Sequence, residues 1–223
     1  MISTIIYDLD GTIVFSEPIG VEALIKTLHE LNISHANFDL NILIFRPIND
    51  LLKLIFKNNE HMIRDAKIAW FNNYIRLAFD EGMLKLAPNI KETLEKLKNK
   101  GYKLAIGTGS IYTLVDLTLE HFELKQYFDE IVTVEEVESP KPAPDTFNLI
   151  AKNLKVESNE CIVVGDTKYD IIAAKEFGAI AVLYDSPITP HKIKYDDIHT
   201  PDFIIKKHPE LLKILELLDR KKQ

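Results

Sequence analysis

The sequence predicts an α/β protein in which a doubly wound parallel sheet carries a small inserted helical domain. Apolar, strand-like segments alternate with amphipathic helical segments from about residue 88 onward. This alternation is typical of a parallel sheet that is covered by helices on both faces. The stretch between residues 16 and 83 interrupts the alternation, since its apolar residues follow helical spacing throughout.

The chain opens with a strand-like segment, IIYDLDGT, in which apolar residues lead to Asp8 and Asp10. Three segments with helical spacing follow, namely GVEALIKTLHELN, NDLLKLIFKNN and IRDAKIAWFNNYIRLAFDEG. We therefore predict an α/β core of residues 1–15 and 84–223 and a helical domain of residues 16–83.

The core segments then alternate as far as the last pair of strands. In chain order they are NIKETLEKLKNK (helix), YKLAIGTGS (strand), IYTLVDLTLEHF (helix), EIVTVEEV (strand), PDTFNLIAKNL (helix), CIVVGDT (strand), YDIIAAKEFG (helix), AIAVLYD (strand), PDFIIKK (strand) and PELLKILELLD (helix). Pro88 and Pro144 lie at helix starts, and Gly101 and Gly178 lie at helix ends, where each residue type is favoured. The polar stretch 186–201 is predicted to be a loop, longer than a strand connection needs.

Composition limits the classes of function. The 223 residues include 46% hydrophobic side chains, which is ordinary for a soluble protein with a proper core. No apolar run reaches the roughly 18–20 residues that cross a bilayer, and the first residues do not resemble a signal peptide. A single cysteine, Cys161, fits a reducing compartment. We therefore expect a cytoplasmic protein that binds no membrane, and the net charge of −7 without a basic stripe argues against nucleic acid.

Polar residues stand near the ends of several predicted core strands. They are Asp8 and Asp10 in DLDG, Thr108 in GTGS, Lys141 in SPKP, and Asp166 with Asp170 in GDTKYD. Each signal is weak by itself. Asp-Gly is a common turn dipeptide, a lone lysine is usually solvated, and an aspartate after a strand can simply cap the next helix.

The combination is more informative than its parts. In an open parallel sheet, ligands bind beyond the carboxyl ends of the strands, so these residues are expected to meet there. Several carboxylates at one place repel one another unless a cation lies among them, and hard oxygen ligands suit Mg²⁺. A lysine and a threonine beside them would donate hydrogen bonds to phosphate oxygens.

On these residues the sequence resembles the haloacid dehalogenase superfamily. DLDGT, the strand-end Thr108, the Lys141 of SPKP, and GDTKYD match the four motifs of that family in order. The chain is most similar to the branch that contains phosphoglycolate phosphatase and β-phosphoglucomutase. The resemblance implies a Rossmann-like core, and it implies that the inserted helical domain is a cap.

The resemblance also implies residue roles. Asp8 would attack phosphorus and become an aspartyl-phosphate. Asp10 would protonate the leaving oxygen and later activate water, with Thr12 helping to orient it. The implied Mg²⁺ ligands are Asp8, the main-chain carbonyl of Asp10, and Asp166, with Asp170 in support. The implied phosphoryl ligands are Thr108, the amide of Gly109, and Lys141.

Two positions differ from the family pattern. Gly109 stands where the family often has asparagine, so a side-chain contact is lost there. The segment FSEPIGVEALIK lacks the histidine that the mutase branch carries soon after its first motif, which weakens the mutase interpretation. In the cap, Arg46 is the candidate for contacting the substrate, although a surface role fits that arginine equally well.

The sequence thus predicts a Mg²⁺-dependent phosphatase that acts on a small phosphomonoester, phosphoglycolate-like or sugar-phosphate-like, as a monomer or homodimer. The alternatives are a phosphomutase of the β-phosphoglucomutase type and a non-catalytic phosphate-binding or interaction protein. A dehalogenase is disfavoured because that branch lacks an acid at the position of Asp10. A receiver domain is disfavoured because its phosphorylated aspartate lies on a later strand and it has no inserted cap.

Overall fold

The computed structural model describes residues 1–34, 48–189 and 199–220. The chain forms two compact units, of which the larger consists of Met1–Val14 and Leu86–Gln223 and the smaller of Phe15–Lys85. Within the described residues, no helix combines the length and the apolar character needed to span a membrane.

The described strands are β1 (Thr4–Tyr7), β2 (Val14–Phe15), β3 (Lys85–Leu86), β4 (Lys103–Gly107), β5 (Glu130–Val132), β6 (Cys161–Gly165), β7 (Ile180–Tyr184) and β8 (Phe203–Ile205). Among these, six form a parallel sheet in the order β5-β4-β1-β6-β7-β8, and β2 pairs with β3. The order reverses beside β1, which is the arrangement of a doubly wound sheet. The predicted fold class is therefore confirmed.

The described α-helices are α1 (Glu17–Glu30), α2 (Ile48–Ile55), α3 (Glu60–Ile75), α4 (Ile90–Asn99), α5 (Tyr112–His121), α6 (Asp145–Leu154), α7 (Lys168–Phe177) and α8 (Glu210–Arg220). Helix α7 begins with a capping box between Thr167 and Asp170, and it ends at Gly178, whose φ is 87°. Glycine adopts this left-handed conformation without the penalty of a Cβ, which explains the clean helix end.

Register places the strand ends of the larger unit level with one another. Tyr7, the last residue of β1, pairs with Ile106 of β4 and with Val164 of β6. Ile6 lies in a core cluster of buried side chains that includes Phe147 of α6. Because neighbouring strands end together, the residues that follow them gather at one edge of the sheet.

The smaller unit is helical in its described part. Helices α1, α2 and α3 share a core that includes Leu24, Leu52 and Ile63. The indole N–H of Trp70 donates to the carbonyl of Gly20 at 3.0 Å, and the Trp70 ring packs against Tyr74. Both aromatic side chains therefore serve packing inside this unit.

Several elements differ from the predicted boundaries, and for two of them the local sequence gives the reason. The segment EIVTVEEV forms a strand only over Glu130–Val132, and a 3₁₀ turn, Val134–Glu136, follows. Thr133 and Glu136 form a capping box there, and these side-chain bonds favour a helical turn over a continued strand. Helix α1 begins at Glu17, three residues before the predicted start, because Pro18 fits the first turn of a helix.

Candidate active site

Asp8 lies immediately after β1, at the carboxyl edge of the sheet. Its amide donates to the carbonyl of Val164 at 2.8 Å, so the backbone remains tied to β6. The residue is 7% exposed, and its Oδ1 accepts a 2.6 Å hydrogen bond from the ammonium of Lys141. A buried carboxylate is thus fixed by the sheet and directed at a cation.

Lys141 links three parts of the site. Its Nζ donates to Asp8 Oδ1 at 2.6 Å, to Asp170 Oδ1 at 2.5 Å and to the carbonyl of Gly107 at 3.1 Å. Burial alone would lower the pKa of this lysine, but Asp170 and Asp8 outweigh that effect and raise it. The side chain therefore remains a charged donor although it is only 9% exposed.

Three carboxylates converge beside this lysine. One oxygen from each of Asp8, Asp166 and Asp170 lies within 4.8 Å of the others, and all three residues are buried. Burial raises the pKa of Asp8 well above its usual range, and Asp170, Asp166 and Asp10 raise it further, while Lys141 opposes them. A divalent cation fits this group of carboxylates, because their hard oxygens are the ligands that such an ion prefers.

Asp166 follows β6 and is held at both of its oxygens. The Thr12 hydroxyl donates to Oδ1 at 3.1 Å, and the Thr189 hydroxyl donates a short hydrogen bond to Oδ2. A hydroxyl carries one proton, so the Thr12 side chain cannot donate to Asp10 at the same time. The Thr12 hydroxyl thus supports Asp166, and a role for Thr12 in orienting Asp10 stays a prediction.

Asp170 is positioned by its neighbours in the chain. Its Oδ2 accepts hydrogen bonds from the amide and the hydroxyl of Thr167 at 3.0 and 2.6 Å, and Oδ1 faces Lys141. Gly165 makes this position possible, because a Cβ there would overlap the side chain of Asp170 and lie 2.7 Å from Oδ2. A glycine at the end of a buried strand marks such a close approach.

Asp10 is held by a residue outside the predicted set. Its Oδ2 accepts a 2.5 Å hydrogen bond from the hydroxyl of Ser110. The amide of Ser110 also donates to Oγ1 of Thr108 at 3.0 Å. Because the Thr108 hydroxyl accepts this bond, its own proton stays available for another acceptor. The turn after β4 therefore orients both Asp10 and Thr108.

The remaining predicted positions are Gly109, Arg46 and the loop 186–201. A Cβ at Gly109 would meet no described atom within 4 Å, so the surroundings of this residue are open in that direction. Arg46 lies outside the described residues. The loop 186–201 is described up to residue 189 and from residue 199.

The buried side chain of His208 contacts the backbone of the first motif at Thr12. Nε2 of His208 lies 2.9 Å from the carbonyl of Thr12, and since a carbonyl only accepts, the ring nitrogen donates. The ring stacks on Tyr184 at 4.3 Å between centroids and also lies near Tyr7. Desolvation lowers the pKa of His208 to about 4, so the ring is neutral at pH 7.

Besides Thr167, four residues outside the predicted set contribute to the site, namely Ser110, Gly165, Thr189 and His208. Two had a usable signal, since Ser110 follows a strand-end threonine by two residues and Gly165 directly precedes Asp166. Thr189 and His208 had none, because they are separated by 23 and 196 residues from the groups that they contact.

The fold and the site together define an α/β enzyme with a buried carboxylate and lysine centre at the carboxyl edge of its sheet. The chain belongs to the haloacid dehalogenase-like hydrolase family, whose profile matches residues 5–183. The predicted family and the prediction of a hydrolase are both confirmed by this match.

Individual relatives agree with this assignment. The chain is 29% identical to "Pyrophosphatase PpaX" of Anoxybacillus flavithermus over 223 residues, which covers 98% of this chain and 99% of the relative. It is similar to the crystal structure of a "predicted phosphoglycolate phosphatase" from Haemophilus somnus, with a TM-score of 0.81, 25% identity, and coverage of 96% and 98%. It shares its fold with CbbY from Rhodobacter sphaeroides in complex with phosphate, with a TM-score of 0.79, 21% identity, and coverage of 95% and 96%.

Proposed function

We propose that this protein is a Mg²⁺-dependent phosphatase, which hydrolyses a small phosphomonoester through an aspartyl-phosphate on Asp8. The observation that carries the proposal is the contact between Asp8 and Lys141 within a buried group of carboxylates. Such a site concentrates a nucleophile and a positive charge where a phosphoryl group needs both.

Asp8 is the proposed nucleophile. One of its oxygens attacks phosphorus, and the bond between phosphorus and the leaving oxygen breaks. The ammonium of Lys141 would stabilise the negative charge on the transferring phosphoryl group. Thr108 and the amide of Gly109 would donate hydrogen bonds to the same group. Positioning and charge neutralisation account for most of the catalysis expected of such a transfer.

Asp10 is the proposed general acid and base. As an acid it gives its proton to the leaving oxygen when the first bond breaks. As a carboxylate it then takes a proton from the water that attacks the aspartyl-phosphate, which releases inorganic phosphate and restores Asp8. The hydrogen bond from Ser110 supports this role because it fixes one oxygen of Asp10.

Mg²⁺ is the proposed metal ion. Its ligands would be Asp8, Asp166 and the main-chain carbonyl of Asp10. Asp170 would support the site, because it accepts a hydrogen bond from Lys141 and lies beside the two carboxylate ligands. When bound, the ion would neutralise charge on the phosphoryl oxygens and on these carboxylates.

The proposed substrate is a small phosphorylated metabolite, resembling phosphoglycolate or a sugar phosphate, in the cytoplasm. Support comes from the similarity to a structure described as a "predicted phosphoglycolate phosphatase". Inorganic pyrophosphate is a second candidate, since curated relatives that align over nearly the whole chain are named pyrophosphatases. In that reaction, phosphate itself would be the leaving group that Asp10 protonates.

The test is phosphate release from a panel that contains phosphoglycolate, several sugar phosphates and pyrophosphate, with and without Mg²⁺. Asp8→Asn keeps the shape of the side chain but removes the nucleophile, so we expect release to vanish. Asp116→Asn is the matched control, because Asp116 lies on α5 in an ion pair with Lys125. Full activity in Asp8→Asn, or metal-independent release by the wild type, would contradict the proposal.

A further inference from the structure

Thr189 is buried against Asp166 although it belongs to no motif. The residue is 5% exposed, and its hydroxyl donates to Oδ2 of Asp166. On the other side of the same carboxylate, the hydroxyl of Thr12 donates to Oδ1. One threonine hydroxyl therefore holds each oxygen of this carboxylate.

The path of the chain explains how Thr189 reaches the site. Strand β7 is the parallel neighbour of β6, so both strands deliver their following residues to the same edge of the sheet. The amide of Thr189 donates to the carbonyl of Ser186 at 3.3 Å, which closes a turn with Pro187 at its second position. Proline is favoured there because its φ is already set for the turn.

We propose that Thr189 is a positioning residue, which fixes the carboxylate of Asp166 in the orientation that binds a divalent cation. The inference rests on the metal site of the proposed function, and it adds a residue from the loop after β7 to that site. An aspartate side chain turns freely about its last torsion, because this torsion has broad minima. Hydroxyls on both oxygens remove that freedom before the metal ion arrives.

The effect on metal binding should be large enough to measure. Groups that orient metal ligands typically contribute about 10- to 100-fold in metal affinity. A purely structural role for Thr189 predicts something different, namely lower stability at an unchanged affinity for the ion. Metal affinity and stability therefore have to be measured on the same variants.

The experiment compares Thr189→Val with Thr189→Ser in the full chain. Valine keeps the shape of threonine but removes the hydroxyl, and serine keeps the hydroxyl. Direct calorimetric titration with Mg²⁺ or Mn²⁺ gives the dissociation constant without any substrate. We expect it to rise about 10- to 100-fold in Thr189→Val and to stay near the wild-type value in Thr189→Ser.

Thr93→Val is the matched control. Thr93 is also buried, but its hydroxyl donates to the carbonyl of Asn89, the residue before α4. We expect this variant to lower the unfolding temperature without changing the affinity for the ion. Thermal unfolding with and without Mg²⁺ provides a second readout, since an ion that binds more tightly stabilises the folded state more.

The outcomes separate this inference from the proposed function. An unchanged dissociation constant in folded Thr189→Val, or a wild type that binds neither ion, overturns the role of Thr189. Weaker ion binding in Thr189→Val supports that role even if the wild type hydrolyses no phosphate ester, and in that case the proposed function alone fails.

Discussion

The hydroxyl of Ser110 donates a 2.5 Å hydrogen bond to Oδ2 of Asp10, across 100 residues of sequence. The amide of the same residue donates a hydrogen bond to Oγ1 of Thr108, so one short turn orients two groups of the candidate site. A proton donor that works in a transition state must be held at a defined angle to the leaving oxygen. Ser110 is therefore expected to matter for the rate more than for substrate binding.

Replacing Ser110 by alanine should lower kcat/KM about 10-fold for substrates with alkyl leaving groups, because Asp10 loses its orientation. Aryl phosphates need little protonation when their phosphorus–oxygen bond breaks, so their kcat/KM should fall less. Steady-state kinetics on matched alkyl and aryl esters checks this difference. An equal loss for both kinds of ester would show that Ser110 acts through something other than proton donation.

Replacing Lys141 by methionine should both inactivate and destabilise the protein. The substitution leaves Asp8 and Asp170 buried without the ammonium that they share. Removing one partner of a buried ion pair typically costs about 3–5 kcal/mol. Urea unfolding at neutral pH measures this cost.

The double variant Lys141→Met with Asp170→Asn is the control for that prediction. The second substitution removes the charge of Asp170, which Lys141 neutralises in the wild type. The double variant should therefore be more stable than Lys141→Met alone. A double variant that is less stable than either single variant would contradict the electrostatic explanation.

Replacing Gly165 by alanine should displace Asp170, because the new Cβ would overlap that side chain. We expect a loss of about 1–3 kcal/mol of stability, as for other overpacked positions, together with a loss of activity. Gly20→Ala is the matched control, since its added Cβ would lie no closer than 3.9 Å to Trp70. Thermal unfolding of both variants checks the contrast, and a stable, active Gly165→Ala protein would refute it.

His208 should make stability fall with decreasing pH. Its pKa is lowered from 6.5 to about 4 by desolvation, which outweighs the opposite effect of the hydrogen bond to the carbonyl of Thr12. Below pH 6.5 this histidine is protonated in the unfolded chain, but in the folded chain it stays neutral down to about pH 4. The unfolded state therefore binds more protons in this range, so lowering the pH favours unfolding. This group alone should account for about 3 kcal/mol between these pH values.

The pH dependence can be isolated with His208→Gln, which retains a donor for the carbonyl of Thr12 but does not titrate. Urea unfolding gives the free energy of unfolding of both proteins at pH 7.5 and pH 4.5. We expect this free energy to fall less between the two pH values in the variant than in the wild type. Carboxylates contribute equally to both proteins and cancel in the difference. An equal fall in both proteins would mean that His208 is already accessible to protons in the folded state.

Much of this architecture could be predicted because it follows local rules. Period-two and period-3.6 patterns indicated the strands and helices, and Gly178 marked a helix end through its backbone conformation alone. The boundary errors arose where side chains competed with the pattern. Thr133 and Glu136, for example, cap a 3₁₀ turn within a segment that the apolar pattern assigns to a strand.

The candidate site was predictable where geometry links a residue to a strand end. Asp8, Thr108 and Asp166 follow β1, β4 and β6, and parallel strands bring such residues to one edge. The partners of these residues were not predictable in the same way. The hydroxyl of Thr12, for example, donates to Asp166, which lies 154 residues further along the chain.

Periodicity and motif spacing along the chain were enough to predict the order of the elements, the fold class, the family, and the aspartates that follow the strands. The pairing of each hydroxyl with its carboxylate is known only from the folded chain, as for Ser110 with Asp10 and Thr189 with Asp166. Such pairs depend on where separate turns converge at the sheet edge. A hydrogen bond requires its two atoms to lie within about 3 Å, a condition that no local sequence pattern encodes.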